Sequence, residues 1–145
     1  MEVRKTVGVV ICCHGEMAAG LRSAAEMIVG RQTCLATVGV RPDDGRSDVE
    51  GALKSAVAAV DCGAGVLVLT DMPGGTPCVE AARRRGESFE LVAGVNLPAL
   101  IDVLVCRAKE IDVHALAAAA VETGRKHVVS GRELFEPVTG DPVER

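Results

Sequence analysis

Apolar runs and helical patterns alternate along this 145-residue chain. Strand–helix–strand alternation of this kind is typical of β-α-β units. We therefore predict an α/β fold: a doubly wound, mostly parallel four-stranded sheet with helices on both faces. The predicted strands lie at about residues 7–13, 34–40, 65–70 and 89–94. The first helix has a predicted inner face of Met17, Leu21, Ala24, Ala25 and Ile28.

Capping residues predict where the later helices begin. Ser47 and Glu50 have the spacing of a capping box for the second helix. Thr76 is a predicted N-cap, with Pro77 at the first helical position. The two remaining predicted caps are Asn96 and Asp112.

The C-terminal part of the chain changes character after Lys126. The segment "HVVS" (127–130) predicts an added edge strand, and the residues beyond it are polar with two prolines. We predict one domain over residues 1–130. Residues 131–145 are then a polar tail that is flexible or packs on a partner subunit.

Composition excludes several classes of function. The net charge is −4, and the chain has no Trp, no Tyr and only two Phe. A nucleic-acid interface needs clustered basic side chains, so none is expected. The basic run at 83–85 is interpreted as a solvated helix end. No run approaches the roughly 20 apolar residues of a membrane span.

Six cysteines occur without a C-x-x-C pair, and Glu2, Arg4 and Lys5 precede an apolar run too short for a signal peptide. We therefore expect a cytoplasmic protein whose cysteines are reduced and mostly buried.

The predicted topology brings two polar residues together. His14 ends the first strand and Asp71 follows the third. The carboxyl ends of parallel strands lie at one edge of the sheet, where doubly wound folds bind ligands. A carboxylate that accepts one imidazole N–H leaves the other ring nitrogen as a base or a nucleophile. We predict His14 and Asp71 as the catalytic pair.

Glycines around this pair favour an anionic reactant. Gly15 precedes one predicted helix, and Gly74, Gly75 and Thr76 precede another. Backbone N–H groups and a hydroxyl in such positions bind phosphate oxygens. The residues therefore favour phosphoryl chemistry, although each motif alone is also an ordinary helix start or turn.

Other interpretations of the residues are weaker. Cys13 or Cys78 beside His14 would make a cysteine-dependent hydrolase, but no nucleophile-elbow motif supports it. Neighbouring strand residues point to opposite faces of a sheet, so Cys12, Cys13 and His14 cannot bind one metal ion. We expect no metal and no cofactor. His114 and His127 are interpreted as surface residues.

Three segments together resemble a known family, the mannose-type enzyme IIA domains of the bacterial phosphoenolpyruvate-dependent sugar phosphotransferase system. They are "GVVICCHGEMAAGLRSAAEMIVG", "GVLVLTDMPGGTP" and "GVNLPALIDVL". The resemblance covers roughly residues 6–130. It implies a parallel doubly wound sheet with an added antiparallel edge strand, which "HVVS" would form, and a homodimer that sometimes exchanges C-terminal segments.

The resemblance also implies roles for individual residues. His14 would accept a phosphoryl group from the phosphocarrier HPr and pass it to an enzyme IIB component, and Asp71 would hydrogen-bond its ring. We expect Gly15, Thr70, Gly74, Gly75 and Thr76 to line the phosphoryl-binding site. Membrane contact would be indirect, through the sugar permease subunits.

Two departures from the family pattern concern partner choice more than chemistry. Pro73 stands where relatives carry a large apolar or aromatic residue, and Cys78-Val79 replace the usual Phe-Asn. A regulatory role therefore stays open, in which the same phosphohistidine signals sugar flux instead of feeding transport.

Overall fold

The structure is a computed structural model and describes residues 5–84, 86 and 88–135. Four strands lie within this part of the chain: β1 (Gly8–His14), β2 (Leu35–Val40), β3 (Val66–Thr70) and β4 (Phe89–Ala93). The helices are α1 (Met17–Val29), α2 (Arg46–Val60), α3 (Thr76–Ala82), α4 (Leu97–Cys106), α5 (Val113–Lys126) and α6 (Gly131–Leu134).

The four strands form one parallel sheet in the order β2-β1-β3-β4. β2 lies on one side of β1, and β3 and β4 follow on the other side. The strand order therefore reverses between β1 and β3, which opens a crevice at their carboxyl ends. The predicted doubly wound α/β fold is confirmed.

Alternating residues of β1 reach two separate cores. Val9, Ile11 and Cys13 pack with α1, α4 and α5, whereas Val10 and Cys12 pack with α2 and α3. Both faces of the sheet are thus covered, which explains why β1 and β3 are almost continuously apolar. Small and branched side chains fill both cores, as the near absence of aromatic residues requires.

The inner face of α1 is narrower than its sequence pattern predicts. Ala25 is fully buried and Leu21 packs against the core, as expected. Met17 and Ile28 are 42% and 61% exposed, however, so their assignment to the inner face is wrong. Ala18, on the same stripe as Ala25, is buried instead.

Two predicted helix starts are displaced, although two others are confirmed. The N-cap of α2 is Gly45, whose N–H donates to Asp48 Oδ2 at 2.8 Å, so the Ser47–Glu50 box is wrong. An aspartate three residues after the cap serves as well as the predicted glutamate. Likewise Gly75, not Thr76, is the N-cap of α3.

Asn96 and Asp112 are the confirmed caps. Asn96 Oδ1 accepts the Ala99 N–H at 3.0 Å, and Asp112 Oδ1 accepts the Ala115 N–H at 2.8 Å.

The edge strand predicted at 127–130 is wrong. His127 is in a turn, and residues 128–130 have no regular secondary structure and are exposed. Ser130 instead begins α6, because its hydroxyl accepts the Glu133 N–H at 3.1 Å. Of the predicted tail, residues 136–145 lie outside the described residues. No helix in the described part of the chain has the length and apolar character to cross a membrane.

Candidate functional site

His14 is the last residue of β1 and its side chain is half exposed at the crevice. Its Cα pairs with that of Val40 in β2, and the next residue, Gly15, donates its N–H to the Val40 carbonyl at 2.8 Å. Gly15 has φ +58°, a left-handed conformation that favours glycine and turns the chain into α1. The strand end thus holds the His14 backbone firmly while leaving the ring 49% exposed.

Asp71 follows β3 and holds His14 through two hydrogen bonds. Its Oδ2 accepts the His14 backbone N–H at 2.9 Å and contacts ring atom Nδ1 at 2.7 Å. The other oxygen, Oδ1, accepts the Met72 N–H at 2.9 Å. The structure therefore brings together the two predicted catalytic residues, which are 57 positions apart in sequence.

The protonation state of this pair follows from its contacts. Burial alone would raise the pKa of Asp71, but the backbone N–H and ring of His14, with the Met72 N–H, together hold that pKa below its ordinary value. Asp71 is therefore ionised at neutral pH. A carboxylate only accepts hydrogen bonds, so Nδ1 carries a proton, and in the neutral form of the ring Nε2 carries the lone pair.

Gly75 lies directly against the His14 ring. A Cβ placed on Gly75 would come within 2.9 Å of His14 Cε1 and 3.7 Å of Nε2. Only a glycine leaves this space to the imidazole. Gly74 precedes it with φ +80°, and Thr76 follows as an exposed residue at the start of α3. The loop 74–76 therefore borders the Nε2 side of the ring.

Thr70 is the one predicted site residue that the structure does not bring to the surface. It is fully buried, and its Oγ1 has no hydrogen-bond partner within the described residues. Its carbonyl accepts the N–H groups of Gly94 and Val95 at 3.0 and 2.9 Å. Because β3 is covered on both faces, its last side chain is buried too. Thr70 thus contacts the β4–α4 loop rather than the open site.

The cysteines near His14 are poorly suited to nucleophilic chemistry. Cys12 and Cys13 are fully buried, and burial, with the nearby Asp71 charge, raises the pKa of Cys12 to about 11 and that of Cys13 to about 12. Both are thiols at neutral pH. The expectation of mostly buried cysteines is wrong, since only these two are buried and Cys62 is exposed.

Sequence reasoning missed a buried acidic residue behind the loop 74–76. Glu80 of α3 is only 5% exposed, and its Oε1 lies 3.1 Å from Arg46 Nε and 3.6 Å from Arg83 Nε. Arg46 begins α2, so the pair ties two helices that cover the same face of the sheet. The prediction that the basic run lies at a helix end is confirmed for Arg83, the C-cap of α3, whereas Arg85 lies outside the described residues.

Metal binding finds no support in the described residues, where no three His, Cys, Asp or Glu side chains are grouped as a site. A second histidine–carboxylate pair does occur, between His114 Nδ1 and Glu90 Oε1 at 2.7 Å. The pair alone is thus not distinctive. His14 differs from His114 because it lies where the strand order reverses between β1 and β3, beside Gly15 and Gly75.

Comparison with known proteins gives the family. The family model described as "PTS system fructose IIA component" matches residues 8–121. The chain belongs to this family. The resemblance to mannose-type enzyme IIA domains is therefore confirmed, and the chain is a IIA component of a sugar phosphotransferase system.

Two curated relatives of this IIA component illustrate the match. It is 35% identical over 125 residues to the PTS system mannose-specific EIIAB component of Escherichia coli K12. That match covers 85% of the chain but only 39% of the relative, so the chain spans about two fifths of that protein. It is 32% identical over 103 residues to the PTS system fructose-specific EIIA component of Bacillus subtilis, covering 70% of each.

Solved structures give the same family. The mannose/sorbose-specific IIA subunit from Enterococcus faecalis has a TM-score of 0.74 at 32% identity, covering 86% of this IIA component and 94% of that chain. A PTS IIA protein associated with the fucose utilization operon of Streptococcus pneumoniae has a TM-score of 0.81 at 26% identity, covering 91% and 98%.

Proposed function

We propose that this IIA component carries a phosphoryl group on His14, taking it from HPr and passing it to an enzyme IIB component. The observation that carries the proposal is the 2.7 Å contact between His14 Nδ1 and Asp71 Oδ2, on a ring that is half exposed. This contact leaves Nε2 as the nucleophile and leaves room for a donor protein to approach it.

The transfer needs no change in the proton bound at Nδ1. The lone pair of His14 Nε2 forms a bond to phosphorus while the bond between phosphorus and the donor nitrogen breaks. The bonding pair returns to the donor nitrogen. The loaded ring gains positive charge, which the Asp71 carboxylate stabilises. Transfer to IIB reverses these roles, with His14 as the leaving group. Such in-line transfer depends mainly on positioning and electrostatics.

The phosphoryl oxygens would contact the surrounding loops. In the proposal, backbone N–H groups near Gly15, Gly74 and Gly75 and the hydroxyl of Thr76 receive them. The closeness of Gly75 to the ring supports this arrangement. Because Thr70 is fully buried, we assign it only an indirect part, through its carbonyl contacts to the β4–α4 loop.

We further propose that the protein acts in the cytoplasm as a homodimer and meets the membrane only through the permease subunits. Exposed apolar side chains on segments next to His14 fit a surface that binds partner proteins. They are Met17, Met72 and Val79, at 42%, 54% and 40% exposure.

Phosphorylation by phosphoenolpyruvate, enzyme I and HPr tests the assignment. We expect an acid-labile adduct on the wild-type protein, none on His14→Ala and a weaker one on Asp71→Ala. His114→Ala is the matched control, because His114 also contacts a carboxylate at 2.7 Å and is similarly exposed. An adduct that persists in His14→Ala, or disappears in His114→Ala, would contradict the site.

A second step separates a carrier from a regulator. Loaded protein is isolated and mixed with a purified mannose-family IIB component. A carrier transfers its label to IIB and loses it from His14. A protein that loads from HPr but passes nothing on would contradict the carrier role and favour the regulatory one.

A further inference from the structure

A cavity of about 660 Å³ lies at the end of the sheet opposite to His14. Its lining includes Lys5 and Thr6 before β1, Cys34 before β2 and Cys62 before β3. These positions mark the amino ends of the strands, about 20 Å along β1 from His14. The volume is within the range of small-molecule sites in proteins. The proposed phosphoryl chemistry does not use this cavity.

The cavity contains a buried cation without a carboxylate partner in the described part of the chain. Arg107 is 6% exposed and donates from Nη1 and Nη2 to four acceptors. Three are backbone carbonyls, of Val7 at 3.1 Å, Cys34 at 2.9 Å and Thr33 at 2.6 Å, and the fourth is Gln32 Oε1 at 3.1 Å. All four acceptors are neutral. Burial lowers the pKa of the guanidinium, which still stays charged at neutral pH.

A second cation lines the same cavity. The Lys5 ammonium lies over Gly63, with Nζ 3.6 Å from the position of a Cβ there. Among the described residues, no Asp or Glu is part of the lining. The nearby carboxylates of Asp61 and Glu26 accept the backbone N–H groups of Gly63 and Gln32. Two cationic residues, Lys5 and Arg107, therefore line one space, and none of the lining residues in the described part of the chain is acidic.

Apolar groups complete the lining. Leu104 and Ala108 of the α4 region contribute to it, so a ligand would meet apolar surface as well as charge. Burying a charge without a counter-charge is unfavourable, and an anion in the cavity would supply one. We propose that this cavity binds a small organic anion. Its carboxylate or phosphate oxygens would face Lys5 and Arg107, and its apolar body would face Leu104 and Ala108.

Three probes of one shape test the charge preference: benzoate, neutral benzamide and cationic benzamidine. Phenyl phosphate, as a fourth probe, distinguishes a phosphate from a carboxylate. Each is titrated into the ¹⁵N-labelled full chain at constant ionic strength. We expect benzoate or phenyl phosphate to shift the amides of Thr6, Thr33 and Cys62 at lower concentration than benzamide, and benzamidine to shift them least. The Gly75 amide, at the other end of the sheet, reports binding near His14.

Charge reversal provides the second arm. Lys5→Glu should weaken benzoate binding about three- to tenfold and improve benzamidine binding. Lys54→Glu, which makes the same change at an exposed position of α2 outside the lining, should change neither. Arg107→Ala is compared only if its circular dichroism matches wild type, so Lys5→Glu carries the test.

Three results would overturn the proposal. They are equal shifts with all three benzene probes, shifts confined to the region of Gly75, and benzoate affinity unchanged by Lys5→Glu.

Discussion

Replacing Gly75 by alanine should reduce phosphoryl transfer without weakening the fold. The added Cβ would lie 2.9 Å from His14 Cε1 and 3.2 Å from Met72 Cγ. Ordinary contact begins near 3.4 Å, so the ring must retreat by about 0.5 Å. The ring is held to Asp71 at 2.7 Å, and the movement therefore disturbs that bond.

The size of the effect follows from this displacement. A misplacement of about 1 Å in a reacting group costs up to about 100-fold in rate, so half that displacement predicts a loss of about tenfold. Stability should change little, because Gly75 has φ −72° and alanine adopts that backbone without strain. The lower entropy of the unfolded alanine chain contributes about 0.4–1 kcal/mol, which offsets part of the crowding.

Gly45→Ala is the matched control. Gly45 is also a helix N-cap, with φ −78° and ψ 167° against −72° and 165° at Gly75. Its new Cβ would meet only Asp48 Oδ2, at 3.4 Å. Rapid-quench experiments measure the rate of phosphoryl transfer from phosphorylated HPr. Urea unfolding measures stability, and the ring ¹⁵N shifts of His14 report whether the imidazole has moved. Wild-type transfer rates and unchanged ring shifts in Gly75→Ala would refute this reasoning.

Three further predictions concern pH, a buried charge and thiol reactivity. The folded pKa of Asp71 is lowered, so the stability that this carboxylate contributes is present above its unfolded pKa of about 3.8. That stability is lost as the pH falls through the lower folded pKa. The melting temperatures of wild type and Asp71→Asn should therefore converge below about pH 4. Arg107→Ala should lower the free energy of unfolding in urea by at least about 3 kcal/mol, because it removes four hydrogen bonds made by a buried guanidinium. A loss below about 1 kcal/mol would contradict that role. Iodoacetamide on the folded protein should modify exposed Cys62 first and leave Cys12 and Cys13 unmodified. Peptide mass spectrometry identifies the labelled residues, and early labelling of Cys13 would refute its assignment as a buried thiol.

The sheet and the His14–Asp71 pair are predictable because short-range patterns determine them. Apolar runs separated by helical stretches lead to parallel strands, and parallel strands place all their carboxyl ends at one edge. The last polar residue of one strand and the first after another then meet without any knowledge of side-chain geometry. The same reasoning fails for Thr70, because the sequence pattern predicts where a strand ends but not whether its last side chain is buried.

Residues whose role depends on distant partners could not be found in this way. Arg107 and Glu80 are ordinary helix residues in sequence, yet both are buried. The acceptors of Arg107 include Val7 and Cys34, which are 100 and 73 positions away. The "HVVS" segment shows the opposite error, since its strand propensity was outweighed by a serine that caps a helix.

A single oxygen of Asp71 binds both the main chain and the ring of the same histidine. The imidazole is therefore immobilised before any reaction partner arrives, and loading it requires almost no loss of torsional entropy. If His14 carries the phosphoryl group as proposed, the free energy of each transfer is then little reduced by ordering of its side chain.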